Sequence, residues 1–381
     1  MDIGRVLLWA YVLWYVIYCL VVLAGASLSV RRKGTEACSQ PLSLGIVVPA
    51  FNEQRHLHCV AEAIVTARSI RAPIVIVDDG SNDGSSAALD RLCGEGRALL
   101  VRHDINRGKA AALNSGISAL ATDLILTLDA DTVLDAEAVL TAAAACAEPR
   151  IGGVALTIDG AGASYLARMQ ITEYRYVMNF ERLALACLGI AFTIPGSASI
   201  WRRRALSEIG GFRSRTCAED TDATISLSLA GWRVAVVSRA RAVTDCPASF
   251  MELVRQRSRW IWGTIQAARF ALLALIKNPA RSHPTNALAF LAVTGLNIFG
   301  FVVSAQVAVR FVWGGLGWME IVAAAILIVT TLIRLAVVRQ VLAGKSENIL
   351  EILLFLIAMQ FANAVAFWHG LVTGRVGKLS W

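Results

Sequence analysis

Near-continuous apolar runs bracket a polar middle, and that segregation restricts the fold of this chain more than any single motif does. The first run covers residues 3–28 and is broken only by Arg5. About twenty apolar residues suffice to cross roughly 30 Å of hydrocarbon. Apolar character returns in three blocks, about 287–309, about 318–338 and about 350–373. Of the 381 residues, 56% are hydrophobic and only 17% charged, whereas soluble domains carry about a quarter charged residues. The first run exceeds the ~7–15 residue apolar core of a cleavable signal peptide, and Arg31, Arg32 and Lys33 follow it, so it reads as a signal anchor.

Positive charge after the first span favours a cytoplasmic central domain and an external amino terminus. Three further crossings then leave the carboxyl terminus outside, where Arg375 and Lys378 sit poorly with the same rule. Arg334 interrupts the second carboxyl-terminal block and is expected to snorkel toward an interface. Segment 260–276 is a further apolar candidate, but Arg259 and Arg269 make it an interfacial helix. The net charge of +8 clusters at membrane borders and beside motifs, which argues for lipid headgroups and a diphosphate ligand and against nucleic acid. The eight cysteines lack CxxC spacing, so they frame neither a zinc site nor a disulfide scaffold; Cys59, Cys93, Cys146 and Cys217 fit a reducing cytosol.

Between the spans, residues 42–250 alternate short aliphatic runs with helical patterns. Strands are expected at Leu44–Val48, Ile74–Asp78, Leu99–Arg102 and Leu124–Leu128, and helices near 53–69, 85–94, 109–120 and 135–147. That alternation predicts an α/β domain with a mostly parallel, helix-covered sheet. Ligands of such sheets gather at the carboxyl ends of the strands. There the sequence places Asn52-Glu53 after the first strand, Asp78-Asp79 after the second and Asp129-Ala-Asp131 after the fourth.

Each polar cluster has a chemical and a plain structural reading. Asp129 and Asp131, read as an extended segment, point the same way and offer hard oxygens to Mg²⁺ or Mn²⁺, with substrate phosphates completing the shell; alone, they are an Asp-rich turn. In Asp78-Asp79-Gly-Ser an aspartate reads a nucleobase or ribose, or the stretch is a turn with a helix cap at Ser85. Lys109 opens a helix, where a cation opposes the macrodipole unless an anion lies close, so it contacts a diphosphate or uracil, or else is a solvated lysine. Glu219-Asp220 also opens a helix. One acid acts as general base, Asp220 being the better choice, with Glu219 in support, or both serve the dipole alone.

Gln256, Arg259 and Trp260 share one helical face at i, i+3 and i+4. Arg259 offers a planar fork for pyrophosphate and Trp260 a ring face for a sugar; the alternative is an interfacial Arg/Trp belt. The small-residue loop with Gly196 and Ser197 lets an acceptor sugar approach the backbone, or is a plain turn. His56 and His58 have no metal-ligand partners at recognisable spacing and are assigned to surface or core.

Taken in order, Val47-Val-Pro-Ala-Phe-Asn-Glu53, Asp78-Asp-Gly-Ser81, Asn106-Arg-Gly-Lys109, Leu128-Asp-Ala-Asp131, Glu219-Asp220 and Gln256-Arg-Ser-Arg-Trp260 resemble the processive inverting enzymes of glycosyltransferase family 2. These include cellulose, chitin, hyaluronan and biofilm poly-N-acetylglucosamine synthases. The resemblance implies a GT-A fold, a UDP-sugar donor, a growing polysaccharide acceptor and a cytosolic site feeding a channel of membrane helices. A small membrane subunit is a further partner it allows. By position it implies that Asn52, Glu53, Asp78 or Asp79, and Lys109 serve the donor. Asp131 with Asp129 forms the metal cluster, Asp220 is the base, and Gln256, Arg259 and Trp260 gate diphosphate and acceptor.

Phe192-Thr-Ile-Pro-Gly196, Glu219-Asp-Thr-Asp222, Arg255-Gln-Arg-Ser-Arg-Trp260 with Gly263-Thr264, and the tail Gly377-Lys-Leu379 look most like the poly-N-acetylglucosamine group. A single leading span is closer to the nodulation-type chitooligosaccharide synthases. The expected organisation is an anchor at 1–33, a cytosolic GT-A domain at 42–250, interfacial helices at 251–284 and membrane helices at 285–381, in a multi-pass cell-membrane protein. The rival activities are a non-processive lipid-carrier glycosyltransferase and an inactive nucleotide-binding or transport module. Loss of a carboxylate would mark the last, and none is lost.

Overall fold

A computed structural model describes residues 3–29, 42–94, 96–190, 193–277, 284–313, 317–342 and 348–373. Arg31-Arg32-Lys33, Phe192, Arg375, Lys378 and the Gly377–Leu379 tail lie outside these described residues. Helix α1 (Ile3–Ser29) precedes strands β1 (Leu44–Ala50), β2 (Ile74–Asp78), β3 (Leu99–Arg102), β4 (Leu124–Leu128) and β5 (Thr132–Val133). Helices α2 (Leu57–Ser69), α3 (Ser85–Cys93), α4 (Lys109–Ser118) and α5 (Ala136–Ala144) alternate with them. Then come β6 (Ile151–Ala161), α6 (Tyr165–Glu173), a π-helical segment Tyr174–Asn179, α7 (Phe180–Cys187), β7 (Ala198–Arg202), α8 (Arg203–Ile209), α9 (Glu219–Leu229) and β8 (Arg233–Asp245). The chain closes with α10 (Phe250–Lys277), α11 (Pro284–Trp313), α12 (Trp318–Leu342) and α13 (Ile349–Val372).

One eight-stranded sheet runs in the order β3-β2-β1-β4-β7-β6-β8-β5. The pairs β1–β2, β2–β3 and β1–β4 are parallel, so the loops after β1, β2 and β4 emerge on one edge. Strand β7 enters antiparallel between β4 and β6, which makes the sheet mixed, though mostly parallel. Alternation along the strands divides the core. Ile46, Val48, Ile76, Leu124 and Leu126 pack with Val60, Ile64, Leu89 and Val139 on one face. Val47, Val75, Val77 and Ile125 pack with Leu113, Leu206, Ala223 and Leu227 on the other. Strands buried on both faces are why the early runs carry almost no polar residue.

Among the described residues four helices are long and apolar enough to cross a membrane: Ile3–Leu28, Thr285–Arg310, Trp318–Arg339 and Ile349–Val372. Helix α7 lies against α1 so closely that a side chain at Gly25 would strike the Ala184 carbonyl. Arg334 of α12 corrects the expectation of snorkelling: it is buried and its Nη2 lies 2.8 Å from Glu181 Oε1 on α7. A cation held in an apolar bundle needs such a partner. Segment 260–276 is not a separate helix but the second half of the 28-residue α10.

Helix α13 is tied to the sheet domain along its length. Glu351 pairs with Arg168 on α6, Asn363 donates to Glu173 Oε1 at 3.1 Å, and Ser258 Oγ donates to the Ala366 carbonyl at 2.7 Å. The seven described cysteines are all free.

Candidate active site

Three local arrangements bring distant residues to one edge of the sheet. The antiparallel pairing of β4 and β7 sets the entry to β7 beside the exit from β4, and the Asp129 N–H donates to the Ser197 carbonyl at 2.9 Å. Helix α9 starts at Glu219 and faces that junction, where the Gly196 N–H donates to Asp220 Oδ2 at 2.7 Å. Helix α10 crosses just before α9 at Gly263, where an added Cβ would fall 2.5 Å from Ala218 Cβ. That crossing carries Arg259 and Trp260, about a turn earlier, over the acids.

The result is a cavity of about 960 Å³. From the sheet side Glu53, Lys109, Asp129, Asp131, Gly196 and Ser197 line it; from the helices, Glu219, Asp220, Gln256, Arg259 and Trp260 do. Lys109 Nζ lies 2.6 Å from Asp129 Oδ1 and 3.3 Å from Glu219 Oε1. A Cβ at Gly196 would come within 3.0 Å of Asp220 Oδ2 and 3.2 Å of Lys109 Nζ, so glycine is what lets these groups close up. The anions Asp129 and Glu219 outweigh desolvation and hold the Lys109 ammonium well above its usual range. Burial first, and then the Glu219 carboxylate, push the Asp220 carboxyl up to about 6, against Lys109 and the N–H groups of Thr221 and Gly196.

Asp129 and Asp131 meet through a tight turn, closed by the Thr132 N–H on the Asp129 carbonyl at 3.0 Å, not through the extended alternation the sequence suggested. Lys109 occupies Asp129. Asp131 Oδ1 accepts from Thr132 Oγ1 at 2.9 Å and from Thr244 Oγ1 at 3.3 Å, while no described residue bonds to Oδ2. No cluster of three His, Cys, Asp or Glu side chains suited to a metal occurs among the described residues. A hard cation at this turn therefore fits only with ligand oxygens completing its shell, which is how Mg²⁺ commonly binds nucleotide phosphates.

Asp78, Asp79 and Asn52 do not line the cavity. Both aspartates are fully buried. Asp78 accepts from Ser81 N–H at 3.0 Å and from Ser86 Oγ, with Arg102 Nε at 3.4 Å. Asp79 Oδ1 lies 2.5 Å from His103 Nδ1, and its two oxygens accept the N–H groups of Arg107 and Gly108 at 3.0 and 2.8 Å. Through these bonds Asp79 shapes the turn that presents Lys109. Asn52, at φ 58°, accepts from Asn82 N–H at 2.9 Å and ties the β1 and β2 exits together; asparagine tolerates that left-handed backbone. Glu53 bonds His56 Nδ1 at 2.6 Å, and His56 Nε2 lies 3.4 Å from Asp245 Oδ2. No spacing rule could have revealed this bridge, because Asp245 arrives from the far end of the domain.

The opposite wall holds residues that no motif announced. Tyr174, Met178, Asn179 and Arg182 come from the π-helical segment and α7. Single π turns inside helices are frequent at functional sites. Trp260 lies 6.5 Å from Tyr174, ring centroid to centroid, and 4.4 Å from the Arg257 guanidinium. Arg257 in turn sits 2.8 Å from Glu173, with only 4% and 7% of the two side chains exposed. Gln256 Oε1 is buried without a hydrogen-bond partner among the described residues.

This sheet, with acids and cations gathered at its carboxyl edge, defines a GT-A glycosyltransferase. The chain belongs to the Glycosyl transferase family group 2, whose family model matches residues 124–368. It is 32% identical over 288 residues to an N-acetylglucosaminyltransferase of Azorhizobium caulinodans, a match covering 71% of this chain and 72% of that protein. It is 25% identical over 243 residues to the poly-beta-1,6-N-acetyl-D-glucosamine synthase of Staphylococcus aureus strain COL, covering 60% of this chain and 59% of the relative. In structure it resembles the mannosyltransferase PcManGT from Pyrobaculum calidifontis, solved with GDP-Man and Mn²⁺. The TM-score is 0.69 at 18% identity, over 97% of this chain and 99% of that one.

Proposed function

We propose that this glycosyltransferase is a membrane-embedded, inverting enzyme that transfers N-acetylglucosamine from UDP-N-acetylglucosamine to a growing β-linked saccharide, processively and toward the membrane helices. The observation that carries this reading is the gathering in one cavity of Lys109, 2.6 Å from Asp129 Oδ1, and Gly196, whose N–H donates to Asp220 Oδ2 at 2.7 Å. The relatives that transfer or polymerise N-acetylglucosamine support the choice of sugar.

In this reading Asp220 takes the proton of the acceptor hydroxyl as its oxygen bonds to the anomeric carbon, and the bond to UDP breaks with its electron pair leaving on the diphosphate. Single displacement turns an α-linked donor into a β-linked product. Glu219 and Asp129 hold Lys109 in the cluster. Arg259 has no ion pair among the described residues, and its fork answers the charge growing on the departing diphosphate. Gln256 and Trp260 face the sugar, while Gly196 and Ser197 let it approach the backbone. Asp131, with Asp129, would hold Mg²⁺ or Mn²⁺, which when bound supplies charge neutralisation at the diphosphate.

The division into an anchor at 1–33, a catalytic domain at 42–250, interfacial helices at 251–284 and a membrane unit at 285–381 belongs to the same proposal, as does a multi-pass place in the cell membrane with the catalytic domain in the cytoplasm. Four long apolar helices and free described cysteines support it. Turnover of radiolabelled UDP-sugars by membranes carrying the protein tests the whole. Polymer from UDP-N-acetylglucosamine, lost on chelation, is expected; release of single-sugar products alone would remove processivity.

A further inference from the structure

Arg182, like Arg259, lines the cavity without an ion pair among the described residues. Lys109 is committed to Asp129 and Glu219, and Arg215 makes a two-pronged pair with Asp222, 2.6 Å from Nε to Oδ2 and 2.8 Å from Nη2 to Oδ1. Arg182 has one hydrogen bond among the described residues, from Nη1 to Asn179 Oδ1 at 3.2 Å, and no ion pair. It is partly buried, and desolvation outweighs the nearby anions, so its proton affinity falls below the usual arginine range. Arg182 lines the cavity, where a bound ligand can offer acceptors to its remaining N–H groups.

Its position is fixed from two sides. Asn179 is clamped onto β6 by Ile158, whose N–H donates to Asn179 Oδ1 at 3.1 Å and whose carbonyl accepts from Nδ2 at 2.7 Å. The neighbouring Glu181 is anchored to Arg334 in the membrane bundle. Tyr174, Met178 and Arg182, at i, i+4 and i+8, then face the cavity as a stripe. The anions beside Arg259 are Glu219 and Asp129. Those beside Arg182 are Asp220 and Glu181. Arg259 thus lies in the field of Glu219 and Asp129, and Arg182 in that of Asp220, the acid read as the base.

Resting on the function proposed above, we infer that Arg182 is an acceptor-binding residue: it donates to hydroxyl or amide carbonyl oxygens of a neutral sugar stacked on Trp260 and Tyr174, beside the hydroxyl that attacks. A neutral polyol fits better than a phosphate-bearing acceptor for two reasons. Gln256 Oε1 needs a donor, which a hydroxyl offers and an ionised phosphate does not. Asp220 and Glu181 would also repel an anion at this end of the cavity.

The test compares purified wild type, Arg182→Gln and Arg182→Lys, with three readouts. These are UDP affinity, transfer from UDP-N-acetylglucosamine to a β-linked N-acetylglucosamine oligosaccharide or to polyprenyl phosphate, and the share of donor lost to water. For Arg182→Gln, UDP affinity within twofold of wild type is expected. Its oligosaccharide KM should rise at least tenfold and its hydrolysed share several-fold, with Arg182→Lys in between. Unchanged oligosaccharide kinetics would overturn the assignment. So would an equal loss of UDP affinity, or a loss confined to polyprenyl phosphate. A wild type that transfers from no UDP-sugar would sink the proposed function, and this assignment with it; wild-type transfer with an unaffected Arg182→Gln sinks the assignment alone.

Discussion

The two walls of the cavity are built on opposite principles. The wall at the strand ends is charged and internally satisfied: Lys109 is shared by Asp129 and Glu219, and Asp220 rests on two backbone N–H groups. The wall from the π segment, α7 and α10 holds aromatic rings and, among the described residues, two guanidinium groups without carboxylate partners and an amide oxygen without a donor. The first wall pairs its charges without substrate, Asp131 Oδ2 excepted, while the second is left with unmet hydrogen-bonding capacity that a ligand can fill. A polar group buried in anticipation of a ligand costs stability. Charges paired in advance need no reorganisation when a substrate arrives.

The contrast can be tested from its largest consequence to its smallest. Asp220→Asn keeps the shape of the first wall but removes the proton acceptor; transfer should fall roughly a thousandfold, with UDP affinity within threefold, by single-turnover assay and equilibrium binding. Lys109→Met strands Asp129 and Glu219 without their cation and should cost roughly 3 kcal/mol of stability, seen as a lower thermal midpoint with no ligand present. Arg259→Met breaks the comparison if it behaves likewise. The expectation is an unchanged or higher midpoint in the absence of ligand and a UDP affinity lower by about 10- to 100-fold.

The pH profile comes next. Asp220 must be ionised to accept a proton, so kcat/KM should hold on the alkaline side of about 6 and decline about tenfold per pH unit below it. An acid limb absent in wild type, or retained in Asp220→Asn, would remove Asp220 from that role. The smallest effect belongs to Asn363→Leu, which takes one hydrogen bond from the buried Glu173. It should cost about 1–2 kcal/mol of stability and change kcat less than threefold.

The same division decides what could be read from the sequence. The first wall comes from short contiguous motifs at strand ends, and strands such as Ile74–Asp78 and Leu124–Leu128 run where their aliphatic patterns place them. Local spacing misled where the chain turns. Alternation along an extended segment would pair Asp129 with Asp131; a hydrogen-bonded turn joins them instead. The Asp78-Asp79 stretch admits both a nucleotide contact and a turn, and both carboxylates accept backbone N–H groups that hold its loops. The second wall is spread along amphipathic helices, where Tyr174 and Arg182 look like any other helix residues. Arg334 could not be paired from sequence, because Glu181 lies about 150 residues away on an element that only tertiary packing brings near.

One structure tests the shared cavity most directly: the Asp220→Asn protein bound to UDP-N-acetylglucosamine and Mn²⁺. The diphosphate should lie between Asp131 and Arg259, with the anomeric carbon turned toward position 220 on the side away from the departing phosphate. A nucleotide bound outside this cavity, or a diphosphate on the same side of the sugar as position 220, would contradict it.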